Sequence, residues 1–275
     1  VEMAVSDFIK LSNHEKRLHY GYKTGVNWRR VKTTVDPYYL GLWLGDGTSE
    51  NSDVTTMDPE IKSFLSDYAE QLNLVYRERI QKNNASVIVK ITRGSKLGSR
   101  SLSLQWMLRQ LGVINNKHIP YRYKINDRNT RLKLLAGLID SDGHLCNKLS
   151  TYEIISKNVR LAEDIVFLAR SLGFFVSIYD KKSKSQNGTE GLYKRIFISG
   201  DTSEIPVKIK RKKAKKRKQI KNPLVSNIKV SSVGVGEYYG FSLTGDGLFL
   251  LDDFTVTHNT TLIQDWSTTM AMGGN

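Results

Sequence analysis

Ten residues occur twice in this chain, and they constrain its fold more than any other feature. The clearer copy runs from Leu134 to Gly143, Leu-Leu-Ala-Gly-Leu-Ile-Asp-Ser-Asp-Gly, and the looser one from Tyr38 to Gly47, Tyr-Tyr-Leu-Gly-Leu-Trp-Leu-Gly-Asp-Gly. Both are apolar on every side, as buried helices are, and both stop at Asp-Gly. Gly41 and Gly45 in the first copy stand where Gly137 and Ser141 stand in the second. Residues four apart share a helix face, so each helix carries a stripe of small residues along which two backbones can approach closely. The expectation is two helices packed side by side, with Asp46 and Asp142 emerging together at one end. Two carboxylates at such a mouth are costly unless a cation lies between them.

The chain has 275 residues, room for one large or two modest domains. Its 42 Lys and Arg outweigh 27 Asp and Glu, a formal net charge of +15, and a globular protein this basic usually meets a polyanion. Cys146 is the one cysteine, which excludes an intrachain disulfide and a thiolate zinc cluster. No run of about 18 apolar residues is present, so no membrane span is expected. The start, Val-Glu-Met-Ala-Val-Ser-Asp, is not a signal peptide, and a cytoplasmic or nuclear, intracellular setting fits. Lacking an initiator Met, the chain reads as a fragment or an excised piece.

Residues 1–35 are polar and basic, and His14 and His19 within them read as surface residues. Asp36-Pro37 starts the first repeated helix and Asp58-Pro59-Glu60 a second, with Ile61, Leu65, Tyr68 and Leu72 as its apolar stripe. Val75–Ile80 and Ser86–Thr92 alternate as strands around a Lys82-Asn83-Asn84 turn, and Leu102–Leu111 reads as a helix. After the second repeat the order begins again: a helix over Val159–Leu172, then strands over Phe174–Tyr179 and Tyr193–Ser199. Tyr68-Ala-Glu-Gln-Leu-Asn-Leu-Val75 parallels Leu168-Ala-Arg-Ser-Leu-Gly-Phe-Phe175, and Ile119-Pro120 is echoed by Ile205-Pro206. These parallels imply a tandem duplication with the repeated helices at its two-fold interface, a monomer built as a pseudo-dimer. Lys208–Lys221 is a basic run open to three readings: a DNA backbone contact, a nuclear-localisation-like signal, or a solvated face. From Ser226 to Thr257 the chain turns to Val, Ser, Gly, Tyr and Phe, as a small separate β unit would.

Leu135–Gly143, Leu-Ala-Gly-Leu-Ile-Asp-Ser-Asp-Gly, resembles the LAGLIDADG homing endonuclease motif at all but one position, and Tyr39–Gly47 looks like its looser first copy. The resemblance implies an α+β fold: a pseudo-two-fold tandem of mixed α/β halves with DNA-facing antiparallel sheets. It implies Mg²⁺-dependent double-strand cleavage of DNA, with Asp46 and Asp142 as metal ligands and each serving one strand. Mg²⁺ usually takes one or two carboxylates plus phosphate and water. A family lysine is expected near each scissile phosphate: Lys117 in the first half, and a residue of the basic run, Lys213, in the second. Base preference is expected from the strands, with Arg77, Arg79, Lys90, Lys181 and Lys194 as candidates.

Thr257-His258-Asn259-Thr260 resembles the C-terminal splice junction of an intein, and Tyr238–Asn259 the last two β blocks of that family's Hint domain. The resemblance implies that the Asn259 amide attacks its own carbonyl carbon, that His258 protonates the leaving amine, and that the Thr260 hydroxyl accepts the upstream acyl group. Gly247 replaces a histidine that the family often places before the last block. Val1 is neither Cys nor Ser, and residues 2–35 hold no Thr-x-x-His block, so the N-terminal splicing part reads as missing. The implied segments are 1–35, a linker or remnant of that region; 36–124 and 125–221, the two halves; 222–259, the splicing segment; and 260–275, host sequence. A host reading Gly-Lys before the insertion would regenerate Gly-Lys-Thr-Thr, which predicts a P-loop NTPase host. Expected partners are thus the intein-less DNA target and the host exteins. The competing readings are a non-cutting, maturase-like nucleic-acid-binding descendant and a free-standing homing endonuclease without splicing.

Overall fold

The structure, a computed structural model, describes residues 3–80, 85–93, 103–184, 190–216, 222–232, 234–237 and 243–258. In chain order the elements are α1 (Val5–Lys10), α2 (Asn13–Lys16), β1 (Tyr20–Tyr22), α3 (Pro37–Asp46), β2 (Val54–Thr56), α4 (Pro59–Gln71), β3 (Val75–Ile80), β4 (Val87–Thr92), α5 (Leu104–Gln110), α6 (Tyr121–Lys124), α7 (Arg128–Asp142), β5 (Gly143–Cys146), β6 (Thr151–Ser156), α8 (Val159–Ser171), β7 (Phe175–Lys184), β8 (Glu190–Ser199), β9 (Val225–Asn227), β10 (Leu248–Leu250) and β11 (Val256–His258). They sort into two units, Val26–Lys221 and Val1–Gly25 with Asn222–Asn275.

At the centre of the larger unit lie the repeated helices. Asp36 starts α3 by accepting from the backbone N–H groups of Tyr38 and Tyr39 (2.9 and 3.1 Å), with Pro37 pre-set in the first turn. Every residue from Pro37 to Leu44 is buried. Helix α7 begins earlier than its repeated stretch, at Arg128, because Asp127 precedes it as N-cap and accepts the Thr130 hydroxyl. Arg131 on that extra turn is fully buried. It donates to the carbonyls of Asn126, Ser171 and Val26 and to the Ser171 hydroxyl, and lies 4.5 Å from the Trp28 ring. Burial lowers its pKa to about 10, with Arg128 adding to the effect.

The helices touch backbone to backbone. A Cβ on Gly41 would lie 2.2 Å from the Leu134 carbonyl oxygen, and one on Gly137 2.2 Å from that of Tyr38. Gly45 meets Ser141 in the same way, at 2.1 Å from its hydroxyl. Since residue 41 faces 137 and 45 faces 141, the two helices run in the same direction.

A three-stranded sheet of order β2-β4-β3 and a four-stranded sheet of order β5-β6-β8-β7, both antiparallel, complete this unit. Val87, Val89 and Ile91 on one sheet and Tyr152, Ile154, Ile196 and Ile198 on the other turn one face inward. Helix α4 buries Ile61, Leu65, Tyr68 and Ala69, and α8 buries Leu161, Ala162, Ile165, Val166, Leu168 and Ala169. Of the α4 stripe read from sequence, Ile61, Leu65 and Tyr68 are buried and Leu72 is half-buried; Val159, at the first position of α8, is exposed. Short β2, β5 and β6 are absent from the sequence reading: three to six residues offer too little period to register.

In the smaller unit β1 pairs antiparallel with β9, β10 pairs with β11, and Lys23 bridges to Thr255. Residues 1–35 therefore do not form one segment. Residues 1–25 go with the C-terminal β strands, whereas 26–35 belong to the larger unit. There Val31 exchanges hydrogen bonds with the Asn126 side chain, and Val35 with the Tyr123 hydroxyl. Among the described residues no helix is long and apolar enough to cross a membrane.

The glycine contact gives a test whose sign is informative. Helix propensity alone would make Gly41→Ala stabilising by about 1 kcal/mol. The clash with Leu134 should reverse this and cost about 2–3 kcal/mol, read as a lowered melting temperature. Gly236→Ala, where an added Cβ meets nothing within 4 Å, should leave it unchanged.

Candidate active site

Because α3 and α7 run side by side in one direction, their C-terminal ends open at one mouth, each ending in an aspartate. Asp46 and Asp142 are both exposed there, and the Asp142 carboxylate lies 3.1 Å from where a Cβ of Gly45 would be. Packing around the helix ends removes hydration from Asp46, and the charge of Asp142 adds repulsion. Together they raise its pKa to about 6, while Lys212 and Lys117 pull the other way. Loss of hydration beside the packed helix ends raises Asp142 too, against Lys117 and Lys212.

Two lysines close the helix ends. The Lys117 ammonium donates to the carbonyls of Gly45 (2.9 Å) and Gly47 (2.7 Å) and lies 5.3 Å from the Trp43 ring. That of Lys212 donates to Ile139 (2.9 Å), Asp140 (2.8 Å) and Ser141 (3.1 Å). Cations stabilise the negative end of a helix dipole. Burial lowers both lysine pKa values, and the nearby aspartates pull them back up.

Lys213, the residue expected from sequence, is exposed and lines a groove with Glu60, Ser63 and Phe64 instead. The physical reason lies in the turn Lys210–Lys212: Ile209 is buried before it, and the single 3-10 turn carries Lys212 to the same inner side. Chain spacing points to the wrong neighbour: the residue that follows Asp142 at the distance at which Lys117 follows Asp46 is Lys213, not Lys212.

Asp140, two residues before Asp142, was given no role from sequence. It is buried and accepts from the Tyr38 hydroxyl (2.6 Å) and from the backbone N–H groups of Lys208 (2.6 Å) and Ile209 (3.4 Å), holding the segment that carries Lys212. Leu44 occupies the matching place in the first repeat.

Side-chain alternation sorts the strand candidates. Lys90 lies on the face of β4 opposite Val87, Val89 and Ile91. Arg77 and Arg79 share that open face, in register with Lys90 and Ile88. Like charges directly opposite on a sheet repel unless an anion lies over them; Lys90 also pairs with Asp53 at 3.2 Å. Lys181 lies on the open face of β7 beside Tyr193. Lys194 does not: it has the parity of the buried Ile196 and Ile198, and pairs with Asp180 at 2.6 Å. The cation that β8 does present is Arg195, held by both oxygens of Glu153 (2.7 and 3.0 Å) and 4.7 Å from the Phe197 ring. The larger unit thus joins Asp46, Asp142, Lys117 and Lys212 at one mouth. His258, in the other unit, ends β11 opposite Leu248, and Asn259 and Thr260 lie outside the described residues.

Asp46 and Asp142 suit a hard divalent cation: two carboxylates repelling one another at a solvent-open mouth leave room for water and phosphate oxygens. Among the described residues no cluster of three or more His, Cys, Asp or Glu forms a fuller cage.

Residues 118–231 match the family model described as homing endonuclease. A replicative DNA helicase DnaB of Mycobacterium intracellulare is 33% identical over 158 residues, 58% of this chain and 22% of that protein. An ATP-dependent DNA helicase Hel308 of Thermococcus kodakarensis is 29% identical over 152 residues, 51% of this chain and 13% of that protein. The chain thus spans a minor part of both curated relatives. Among solved structures, mesophilic variants of the homing endonuclease I-DmoI overlay 60% of this chain and 87% of theirs at 18% identity and a TM-score of 0.42.

The raised aspartate makes stability depend on pH in a defined direction. A carboxyl whose folded pKa, about 6, exceeds its ordinary value of 3.8 favours the folded state fully below the lower value. That contribution is lost as pH rises through the higher one. Metal-free Asp46→Asn should therefore gain melting temperature on the parent between pH 4 and 7, and Mg²⁺ should narrow the gap. A gap independent of pH would show that Asp46 is not raised.

Proposed function

We propose that the chain is the site-specific double-strand DNA endonuclease of an intein. In this reading it is a tandem of two LAGLIDADG halves, with one cutting centre divided between them at Asp46 and Asp142. One observation carries the reading: two like-charged carboxylates share a mouth at the ends of two parallel helices, each beside a half-buried lysine. Such a site favours a divalent cation and a phosphate, and a merely structural helix pair has no use for it. The order α3-β2-α4-β3-β4 followed by α7-β5-β6-α8-β7-β8 supports the tandem reading.

In this reading Asp46 and Asp142 hold Mg²⁺, which would neutralise phosphate charge and make bound water more acidic. The chain's own groups do the rest. Lys117 and Lys212 place positive charge beside the phosphorane-like transition state. The open sheet faces, with Arg77, Arg79, Lys90, Lys181 and Arg195, track the duplex and orient the scissile bonds. Most of the affinity comes from phosphate contacts and falls steeply with salt.

The intein reading draws on the smaller unit, where residues 1–25 and the strands after Asn222 form one body. His258, Asn259 and Thr260 supply the junction chemistry, and cleavage there needs only local groups. The helicase names of the curated relatives, each much longer than the region it shares with this chain, suit a P-loop NTPase as host.

The decisive experiment is cleavage of a plasmid library of randomised insertion sites in Mg²⁺. The parent should make specific double-strand cuts, and Asp46→Asn with Asp142→Asn should lower the rate at least about 100-fold while retaining DNA binding. Binding without cutting by the parent would replace this reading with that of a non-cutting descendant. For the junction, mass spectrometry of the full chain should find a single cut after Asn259, absent in Asn259→Ala. No such cut would favour a free-standing endonuclease.

A further inference from the structure

Each active-site lysine reaches its helix end on a short strap of chain, and each strap is fastened to the other half. The first strap, residues 116–124, docks on α8. The Asn158 amide donates to the Lys117 carbonyl (2.7 Å), Arg160 donates to the Asn116 side chain (3.3 Å), and the Ile119 N–H donates to Asp164 (2.7 Å). Asp164 is buried and also pairs with Lys124. The second strap, residues 205–213, docks on the start of α4. Arg211 donates to both oxygens of Asp58 (2.8 and 2.9 Å), and the Lys210 N–H donates to Glu60 (3.2 Å). Asp58 and Asn158 occupy corresponding places, each immediately before the first residue of its helix.

So Lys117 contacts the end of α3 but is placed by α8, and Lys212 contacts the end of α7 but is placed also by α4. We propose that Asn158 and Asp164 are positioning residues for Lys117, and Arg211 with Asp58 for Lys212. Each half-site is then completed with help from the other half. This rests on the double-strand endonuclease reading for its effect on cutting, but not for its effect on the lysines. Asn158, Asp164, Arg211 and Asp58 lie on no open sheet face. A shift of a reacting group by about 1 Å can cost two orders of magnitude in rate, so a slack strap has a measurable consequence.

Two exposed variants test this in the full chain. Asn158→Asp keeps the oxygen that caps Leu161 at the start of α8 and loses the donor to Lys117. Arg211→Gln removes the pair with Asp58. On a duplex with its two strands labelled separately, Asn158→Asp should slow nicking of one strand about 10- to 100-fold and leave the other within about twofold. Arg211→Gln should slow the opposite strand, and neither should change DNA affinity or melting temperature materially. In parallel, acylation by an N-hydroxysuccinimide ester, mapped by mass spectrometry, should show Lys117 alone more reactive in Asn158→Asp and Lys212 alone in Arg211→Gln. Equal slowing of both strands, slowing of the same strand by both variants, or unchanged lysine reactivity would overturn the proposal. A parent chain that cuts neither strand would refute the endonuclease reading, and the lysine labelling would still decide the straps.

Discussion

Everything at the active site depends on the contact between Gly41 and Gly137. With no side chain at either position, two helix backbones meet directly, and with Gly45 against Ser141 the approach continues to the helix ends. The cost is electrostatic. Two parallel helices bring two negative dipole ends to one place, and each adds a carboxylate. Hydrophobic burial along Pro37–Leu44 and Leu134–Ile139 holds these charges together, and the Asp46 pKa is raised first by loss of hydration and then by the Asp142 charge. Lys117 and Lys212 offset part of this cost by donating into the exposed carbonyls. A divalent cation among the carboxylates would offset the remainder.

The lysines bring a second constraint. An ammonium on a four-carbon stem has many rotamers, and fixing it at a helix end costs about 2 kcal/mol of side-chain entropy. Both lysines are fixed from the backbone side instead. Buried Asp140 takes two successive amides of one strap, and buried Asp164 takes an amide and a lysine of the other. Neither aspartate stands at the mouth, yet both decide where a cation stands there.

Much of this was legible in the sequence, and the rest was lost for identifiable reasons. The repeat with its small-residue stripe located the helix pair, the aspartates and the side-by-side packing, because a backbone contact has few sequence solutions. Lys117 stood alone beside Ile119-Pro120 and could be picked. Lys212 could not be told from its neighbours by residue type in a run of cations, and the chain distance from Asp142 points to Lys213; only the buried Ile209 fixes the register. Lys194 illustrates a different failure. Its parity with Ile196 and Ile198 was readable, but basic residues on a strand invite a functional reading even where the inner face carries them past the core. Asp140 was visible only as a difference between the two copies, and its partners come from a segment far along the chain, which no local pattern reveals.

The smaller unit bears on how such a site can be carried. The chain leaves it after Gly25 and returns at Asn222, and these exits are adjacent: the Lys23 N–H donates to the Leu224 carbonyl at 2.6 Å, beside the β1–β9 pair. Insertion of a folded domain is tolerated where the two ends meet at one surface point, since the host need not open its own pairing. A disordered insert of this length would charge loop-closure entropy to that strand pair. A folded insert closes its own loop, provided its first residues are tied in. That is the work of Arg131 and Asn126, which clamp Val26 and Val31 onto the larger unit. Buried Arg131, which among the described residues donates to carbonyl and hydroxyl oxygens, holds Val26 where the chain enters the larger unit. Among the described residues no strand of one unit pairs with a strand of the other, so each fold closes its own sheets on one continuous polypeptide.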